Sequence, residues 1–172
     1  MHMMTKAAIL LLALSTAACT RPDRFGAGGA NGAGGPGGIT SSALGDVNNP
    51  NSPAYFNQAV GDRVHFVVDQ SSLTPAAMLT LDGQATWLNA HPDYQAIIEG
   101  HADEQGTREY NLALGARRAN AAREYLISKG VTGARLRTIS YGKERPIATC
   151  SNESCYSQNR RAVTVISIGT MG

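Results

Sequence analysis

Two aspartates of this 172-residue chain follow predicted strands, which indicates a binding site at the edge of a sheet. Asp69 ends an alternating run of apolar and polar residues, and Asp103 comes shortly after a second apolar run. If a helical crossover makes the two strands parallel, both carboxylates lie at the same sheet edge. Open α/β sheets bind ligands beyond the carboxyl ends of their strands. Either acid alone is equally typical of a solvated turn, but two acids at one edge favour a site.

Arg118 is the third candidate, because it lies within the apolar stripe of a long predicted helix. The residues four and seven positions away share its helix face: Asn111, Leu114, Ala122 and Tyr125. An unpaired buried charge is costly, so the guanidinium needs a partner. One interpretation is a structural ion pair with Asp103 or Asp69. The other is a two-pronged contact with the carboxylate of a ligand.

Thr107 adds a feature suited to an anion, because it is the predicted N-cap of the same helix. The start of a helix presents free backbone N–H groups and the positive end of the helix dipole, and both favour a carboxylate. Acids that suit an ammonium group and donors that suit a carboxylate together describe a site for a zwitterion.

The elements that position these residues follow from periodicity and from helix signals. Residues 64–68 alternate as a strand does. Thr74 and the proline after it begin a helix, which ends at His91 before a second proline. The next helix runs over 107–129, and Gly130 is its expected C-terminal residue. Further strands are predicted over residues 94–100, 136–141 and 162–168.

This order of elements predicts an α+β fold. Two strand–helix–strand units imply right-handed crossovers, and a fourth strand completes a mixed βαβαβ-β sheet. The two main helices are expected to pack on that sheet.

The first 18 residues are predicted to be a secretory signal peptide. Lys6 precedes a short apolar run over 7–14, which is followed by small residues. That run is far shorter than the roughly 20 apolar residues of a membrane-spanning helix. Residues 16–19, Thr-Ala-Ala-Cys, resemble a bacterial lipobox in which Cys19 is lipid-modified and becomes the mature N-terminus, although Thr16 stands where Leu is usual. The alternative is ordinary cleavage that leaves Cys19 unmodified or removes it.

The segment after the signal peptide is predicted to be a flexible tether over residues 19–59. It begins with glycine repeats and continues with Asn-Asn-Pro-Asn-Ser-Pro at 48–53, so it has few side chains that can bury apolar surface. Thr20 follows the cysteine, and the absence of Asp there is typical of lipoproteins sent to the outer membrane. The sequence therefore predicts a lipid-anchored protein that faces the periplasm.

Cys150 and Cys155 are predicted to form a disulfide. An exported chain meets an oxidising compartment, where two nearby cysteines most simply pair. The C-x4-C spacing lacks a second cysteine pair that could complete a zinc site. Free thiols are the alternative. A bridge across so short a loop would stiffen it locally.

Composition and histidine spacing exclude several classes of function. Lys6 is one of 15 basic residues, so 14 remain beside 13 acidic ones in the mature chain. This near-balance argues against binding of nucleic acid or of a membrane surface through phosphate charge. The histidines show no metal-ligand spacing, and no G-x-S-x-G motif is present. We therefore expect neither an enzyme nor a bound cofactor or metal.

Five short motifs occur in order along the chain: GHADEQGT at 100–107, EYN at 109–111, RRA at 117–119, SYG at 140–142 and NRRA at 159–162. Together they resemble the OmpA-like C-terminal domain family and, within it, the peptidoglycan-associated lipoproteins. The resemblance covers about residues 60–168, so residues 60–170 are assigned to an OmpA-like domain.

The resemblance implies non-covalent binding of peptidoglycan through its meso-diaminopimelate residue, which links the outer membrane to the cell wall. By the family pattern Asp103 holds the ammonium group and Arg118 the carboxylate, with Asp69 as an additional acid. Thr107 and Asn111 complete the implied site, and Gln105 stands where the family commonly has Arg.

The resemblance also implies partners and a cellular role. Family members pair with TolB and act with the other Tol proteins in envelope integrity and cell division. Two alternatives remain: a structural envelope protein that binds no ligand, and a cell-wall hydrolase.

Overall fold

The computed structural model describes residues 45–169, in which a four-stranded mixed sheet carries helices on one face. The helices are α1 (Pro53–Tyr55), α2 (Pro75–Ala90), α3 (Arg108–Ser128) and α4 (Glu153–Asn159). The strands are β1 (Arg63–His65), β2 (Tyr94–His101), β3 (Leu136–Gly142) and β4 (Arg161–Ile168). The strand order is β1-β4-β2-β3. The predicted α+β fold with two main helices on a mixed sheet is confirmed.

The pairing of the strands explains how the two aspartates come to one edge. β4 is antiparallel to both β1 and β2, so β1 and β2 run in the same direction although they are not neighbours. β3 pairs with β2 in parallel. The carboxyl ends of β1, β2 and β3 therefore lie at the same edge of the sheet, and ligand sites of such sheets form at that edge.

The helix starts are as predicted. The Thr74 hydroxyl accepts a hydrogen bond from the Ala77 N–H at 3.1 Å, and the Thr107 hydroxyl accepts one from the Tyr110 N–H at 3.2 Å. Each bond satisfies a backbone donor that the helix itself leaves unpaired. The position of Thr107 fixes where α3 begins, and so where its N-terminal N–H groups point.

The core lies between the sheet and the inner faces of α2 and α3. Its fully buried apolar side chains include those of Leu81, Leu88, Ile98 and Leu126. Each such burial stabilises the fold by about 1.5–3 kcal/mol relative to exposure. α3 also approaches β2 closely, because glycines occupy both sides of the contact: a β-carbon placed on Gly115 would lie 2.8 Å from the Gly100 carbonyl oxygen.

The end of the predicted tether belongs to the folded domain. α1 continues into a π-helical turn, Phe56–Gly61, that packs on α2. Phe56 is fully buried with its ring 5.0 Å from that of Trp87, and the Trp87 indole N–H donates to the Pro50 carbonyl at 2.7 Å. The domain boundary therefore lies earlier than residue 60. The signal peptide, Cys19 and the first part of the tether lie outside the described residues.

Two further elements differ from the prediction. β1 ends at His65, and Val67 and Val68 leave the sheet with about half of their surface exposed (47% and 48%). The region between the third and fourth strands, where no element was predicted, contains α4, which is N-capped by the Asn152 side chain. Asn152 followed by an acid is a recognisable helix start that the sequence interpretation did not use.

The predicted disulfide between Cys150 and Cys155 is present, with the two α-carbons 5.5 Å apart. It joins the chain just before α4 to the first turn of α4 and so fixes this short helix against that chain. Within residues 45–169, no helix combines the length and apolar character that crossing a membrane requires.

Candidate functional site

A cavity of about 310 Å³ lies at the sheet edge where the predicted site residues meet. It is lined by residues from the loop after β1, the loop after β2 and the first two turns of α3: Val68, Asp69, Asp103, Gln105, Gly106, Tyr110, Asn111 and Leu114. The structure thus brings three predicted residues, Asp69, Asp103 and Asn111, to one space. A larger open cavity of about 550 Å³ adjoins it at Val68. Among residues 45–169 its only lining acid is Glu153, which is already paired with Arg160.

Asp69 presents its carboxylate at the rim of this cavity. Its backbone is in the left-handed region, with φ of 56°, a conformation that Asp tolerates better than most residues. The Tyr110 hydroxyl donates a hydrogen bond to Asp69, and this bond raises the pKa of the Tyr110 phenol. Asp69 is otherwise exposed to solvent and so remains accessible to a ligand cation.

Asp103 forms the inner wall and is 8% exposed. One carboxylate oxygen accepts from the Gln105 N–H at 3.2 Å, and the other accepts from Arg160 at 3.2 Å. Arg160 is itself buried and also donates to Glu153 and to the Phe66 carbonyl. The Glu153 carboxylate is the main reason that the pKa of Arg160 is raised. Asp103 is therefore held in one orientation by a buried ion pair.

Arg160 is a site-supporting residue that the sequence interpretation missed. It stands in the NRRA motif, which carried the family resemblance but was assigned no role. A signal was available in principle, because an arginine at the start of a strand must find a partner if it is buried. Its partner in the site, Asp103, lies 57 positions away in the chain, and only the fold supplies that contact.

Arg118 lies beneath the cavity and does not line it. Its side chain is fully buried, and it donates to three backbone carbonyls: Gln70 at 2.8 Å, His101 at 2.9 Å and Val67 at 3.2 Å. Burial lowers the pKa of Arg118 to about 10, while the charge of Asp103 opposes that shift.

The ion pair expected between Arg118 and Asp103 or Asp69 is not formed: none of the ion pairs within residues 45–169 includes Arg118. Backbone carbonyls take the place of the carboxylate partner. A direct contact between Arg118 and a ligand stays a prediction.

Thr107 and Asn111 organise the loop between β2 and α3. Asn111 is almost fully buried (1% exposed), and its side-chain amide donates to the Gln105 carbonyl at 2.7 Å. The Asn111 N–H donates to the Thr107 carbonyl at 3.1 Å. These bonds hold the loop so that the Gln105 side chain is exposed at the cavity wall.

His101 is a buried neighbour of the site whose ring nitrogens have no hydrogen-bond partner among the described residues. Its ring stacks on Tyr141, and its Nε2 lies 3.7 Å from the Glu99 carboxylate. Burial, together with the charges of Arg161 and Arg145, lowers the pKa of His101 to about 4. The imidazole is therefore neutral at pH 7. Within residues 45–169, no group of three or more His, Cys, Asp or Glu side chains is placed to hold a metal ion.

We expect the domain to lose about 2 kcal/mol of stability at pH 5 relative to pH 8 through His101 alone. The folded pKa of about 4 is below the ordinary 6.5, so between these values the unfolded chain binds the proton and the native state does not. Stability therefore falls as pH falls through this window. Urea unfolding of the parent and of His101→Phe at several pH values tests this. If the free energy of unfolding of the variant falls with pH as steeply as that of the parent, the prediction is contradicted.

Comparisons with known proteins show which family this chain resembles. Residues 65–160 match the OmpA family. A peptidoglycan-associated lipoprotein of Rhizobium meliloti is 62% identical over 117 residues, which are 68% of this chain and 66% of that protein. One of Mesorhizobium japonicum is 60% identical over 118 residues, 69% of this chain and 70% of that protein. This chain thus aligns with about two thirds of the length of these relatives.

A solved structure extends the likeness to three dimensions. The crystal structure of the peptidoglycan-associated lipoprotein from Burkholderia pseudomallei is similar with a TM-score of 0.63 and 40% identity. The alignment covers 70% of this chain and 98% of that one.

Proposed function

Because this chain belongs to the OmpA family, a structural family without enzymatic activity, we propose that it is an envelope lipoprotein that binds peptidoglycan without a covalent bond. Both rhizobial relatives are named peptidoglycan-associated lipoprotein, a name that joins peptidoglycan association with being a lipoprotein, and this supports the proposal. The observation that carries it is the cavity at the sheet edge, where Asp69 and Asp103 line one space.

The ligand group that fits this cavity is the free end of meso-diaminopimelate in the wall peptide. That end carries an ammonium group and a carboxylate on one carbon. Asp69 and Asp103 are suited to the ammonium group, since charge-assisted hydrogen bonds are the strongest that such a site offers. Asp69 is the more accessible of the two, whereas Asp103 is held by Arg160 in a fixed orientation.

The carboxylate of the same ligand end is assigned to the start of α3. The Thr107 hydroxyl takes the Tyr110 N–H, which leaves the N–H groups of Arg108 and Glu109 without a partner within the helix. The helix dipole favours an anion there. Asn111 supports this wall by holding the Gln105 carbonyl. Arg118 contributes from below: it fixes the carbonyls of the loop after β1, and its charge offsets the repulsion between the two acids.

The anchoring and the partners form the outer part of the proposal. We propose that Cys19 is lipid-modified, that the anchor holds the protein to the outer membrane, and that the chain before the domain lets it reach the wall. The domain would thereby link the outer membrane to the cell wall. TolB and the other Tol proteins are proposed as partners, with a role in envelope integrity and cell division.

The exchange Asp69→Asn is expected to weaken binding of a diaminopimelate-containing peptide about ten- to hundredfold, because a charge-assisted contact to the ammonium group is lost. Asp103→Asn is expected to have an effect of similar size. Isothermal titration calorimetry of each variant with the peptide measures the change in affinity. A peptide whose side-chain amine is acetylated lacks the ammonium group and should bind the parent protein as weakly as the native peptide binds the variants.

Asp93→Asn is the matched control, because Asp93 is an exposed aspartate in the turn before β2 and lies outside the cavity. Thermal melting of every variant separates lost binding from lost folding, which matters most for Asp103 because it pairs with buried Arg160. If both site variants stay folded and bind the peptide as tightly as the parent, the assignment fails. A parent protein that does not bind the peptide would support the structural alternative.

A further inference from the structure

The loop between β2 and α3, which carries Asp103, is bonded to α4 and to the chain just before that helix. The Tyr156 hydroxyl donates to the Glu104 carboxylate at 2.9 Å. Hydrogen bonds from the side chains of Ser151 and Tyr156 lower the pKa of the Glu104 carboxyl. Glu104 does not line the cavity, but its chain neighbours Asp103 and Gln105 do. Contacts to Glu104 therefore restrain two residues of the cavity wall.

A second contact joins α4 to Asp103 through Arg160. The Nη1 of Arg160 donates both to Asp103 and to Glu153, at 3.2 Å in each case. Glu153 is the first residue of α4, and its carboxylate also accepts a hydrogen bond from the other terminal nitrogen of Arg160. Arg160 thus lies between the two acids, and the position of Glu153 affects how it holds Asp103.

The Cys150–Cys155 disulfide fixes the part of the chain from which these contacts come. α4 has only seven residues, and isolated helices shorter than about 12–15 residues are marginal in water. α4 therefore depends on contacts outside itself. Ser151 and Glu153 lie within the loop that the disulfide closes. The hydrophobic core between the sheet and the helices α2 and α3 includes, among residues 45–169, no residue of α4. Breaking the disulfide therefore leaves that core intact.

We infer that α4 positions the loop after β2 for wall-peptide binding, that Tyr156 is a positioning residue of the site, and that the Cys150–Cys155 disulfide holds α4 in place for this role. Breaking the disulfide then weakens the binding of wall peptide while the domain stays folded. The inference rests on the proposed function, since it concerns the same cavity.

Two contacts outside α4 limit the size of the effect. The Asn111 side-chain amide donates to the Gln105 carbonyl at 2.7 Å, and the Lys143 ammonium group donates to the Gly106 carbonyl at 2.7 Å. Both remain when α4 loosens, so the loop keeps its binding-competent arrangement for part of the time. The apparent dissociation constant rises in inverse proportion to the competent fraction. A fraction of about one third to one tenth weakens binding about three- to tenfold.

The test measures the affinity of the full folded protein for a diaminopimelate-containing peptide in three forms: the parent, the parent reduced with dithiothreitol, and the double variant Cys150→Ala/Cys155→Ala. We expect the last two to bind about three- to tenfold more weakly, and reoxidation to restore the affinity of the parent. Thermal melting verifies that each form is folded at the titration temperature. A disulfide that only stabilises the fold would lower the melting temperature and leave the affinity of the folded protein unchanged, and that result would overturn the inference.

Tyr156→Phe tests the contact itself, because it removes only the hydroxyl that bonds to Glu104. It is expected to weaken peptide binding about threefold in the disulfide-bonded protein. In the double cysteine variant, where the contact is already loosened, it should change the affinity little. Tyr125→Phe is the matched control: its hydroxyl donates to the Asp82 carboxylate at 3.0 Å, and neither residue lines the cavity.

Two outcomes of this comparison would overturn the inference while leaving the proposed function intact. In one, Tyr156→Phe binds the peptide as tightly as Tyr125→Phe, so Tyr156 has no positioning role. In the other, Tyr156→Phe loses as much affinity in the double cysteine variant as in the disulfide-bonded protein, so the disulfide does not act through this contact. If the parent protein itself does not bind the peptide, the proposed function fails and this inference fails with it.

Discussion

Replacing Arg118 with Lys is expected to lower the free energy of unfolding by about 3–4 kcal/mol, although the charge is kept. The guanidinium donates in three directions, to the carbonyls of Gln70, His101 and Val67. A lysine ammonium group is a single point at the end of a flexible stem and cannot reach all three. At least one buried acceptor loses its donor, and the remaining charge stays buried with fewer bonds.

The matched control is Arg117→Lys, the same exchange at the adjacent position. Arg117 is exposed, so the loss of its guanidinium group is expected to change the free energy of unfolding by less than about 0.5 kcal/mol. Urea unfolding of both variants measures the difference. If Arg118→Lys unfolds at the same urea concentration as Arg117→Lys, the carbonyl contacts do not hold the loop after β1. A stable Arg118→Lys protein that no longer binds the wall peptide would instead favour direct contact between Arg118 and the ligand.

The sequence predicted the burial of Arg118 but could not predict its partners. Its place in the apolar stripe of α3 indicated the buried face, and the structure places it there. The expected partner was a carboxylate, since opposite charges are the pairing that a sequence suggests first. Two of the actual partners are the carbonyls of Val67 and Gln70. Alternation had assigned Val67 to the first strand, and Gln70 lies just beyond the predicted end of that strand. Backbone groups carry no signal in the sequence, so this contact depends on where β1 ends.

The segment before β1 is a second example of contacts that the sequence could not predict. Its composition is poor in apolar residues, which predicts a flexible chain. Two of the few apolar residues it has, Ala54 and Phe56, are nevertheless buried in the domain. Trp87 of α2 supplies the surface that covers Phe56 and the donor that binds the Pro50 carbonyl. Local composition could not reveal a contact that a helix about 30 residues further along the chain provides.

The helices and their caps were predictable because their signals are local. Thr74 and Thr107 act through hydrogen bonds to N–H groups three residues ahead, and Gly130 follows α3 with a positive φ of 93°. The shared edge of Asp69 and Asp103 was predictable as well, because a helical crossover fixes the relative direction of two strands. The close contact between α3 and β2 was not, since a glycine in a helix has several possible reasons to be there.

Gly115→Ala is expected to lower the free energy of unfolding by about 3 kcal/mol, while Gly83→Ala is expected to raise it by about 0.5–1 kcal/mol. Both glycines lie in helices, where alanine is the better helix former. A β-carbon on Gly83 would meet only the Val60 side chain, at an ordinary 3.4 Å. On Gly115 it would lie 2.4 Å from the Ser140 hydroxyl and 2.8 Å from the Gly100 carbonyl oxygen. The hydroxyl can rotate, but the carbonyl belongs to the backbone of β2 near the end of the strand, so α3 must move away from the sheet.

The opposite signs make this pair of variants a sharp test of the contact between α3 and β2. Urea unfolding at pH 7 gives both free energies relative to the parent, and equal slopes would show that the unfolded states are comparable. The movement of α3 also shifts Tyr110 and Asn111, which line the cavity, so Gly115→Ala should weaken wall-peptide binding even at temperatures where it stays folded. If Gly115→Ala instead stabilises the domain as Gly83→Ala does, the close approach of α3 to β2 is not maintained in solution.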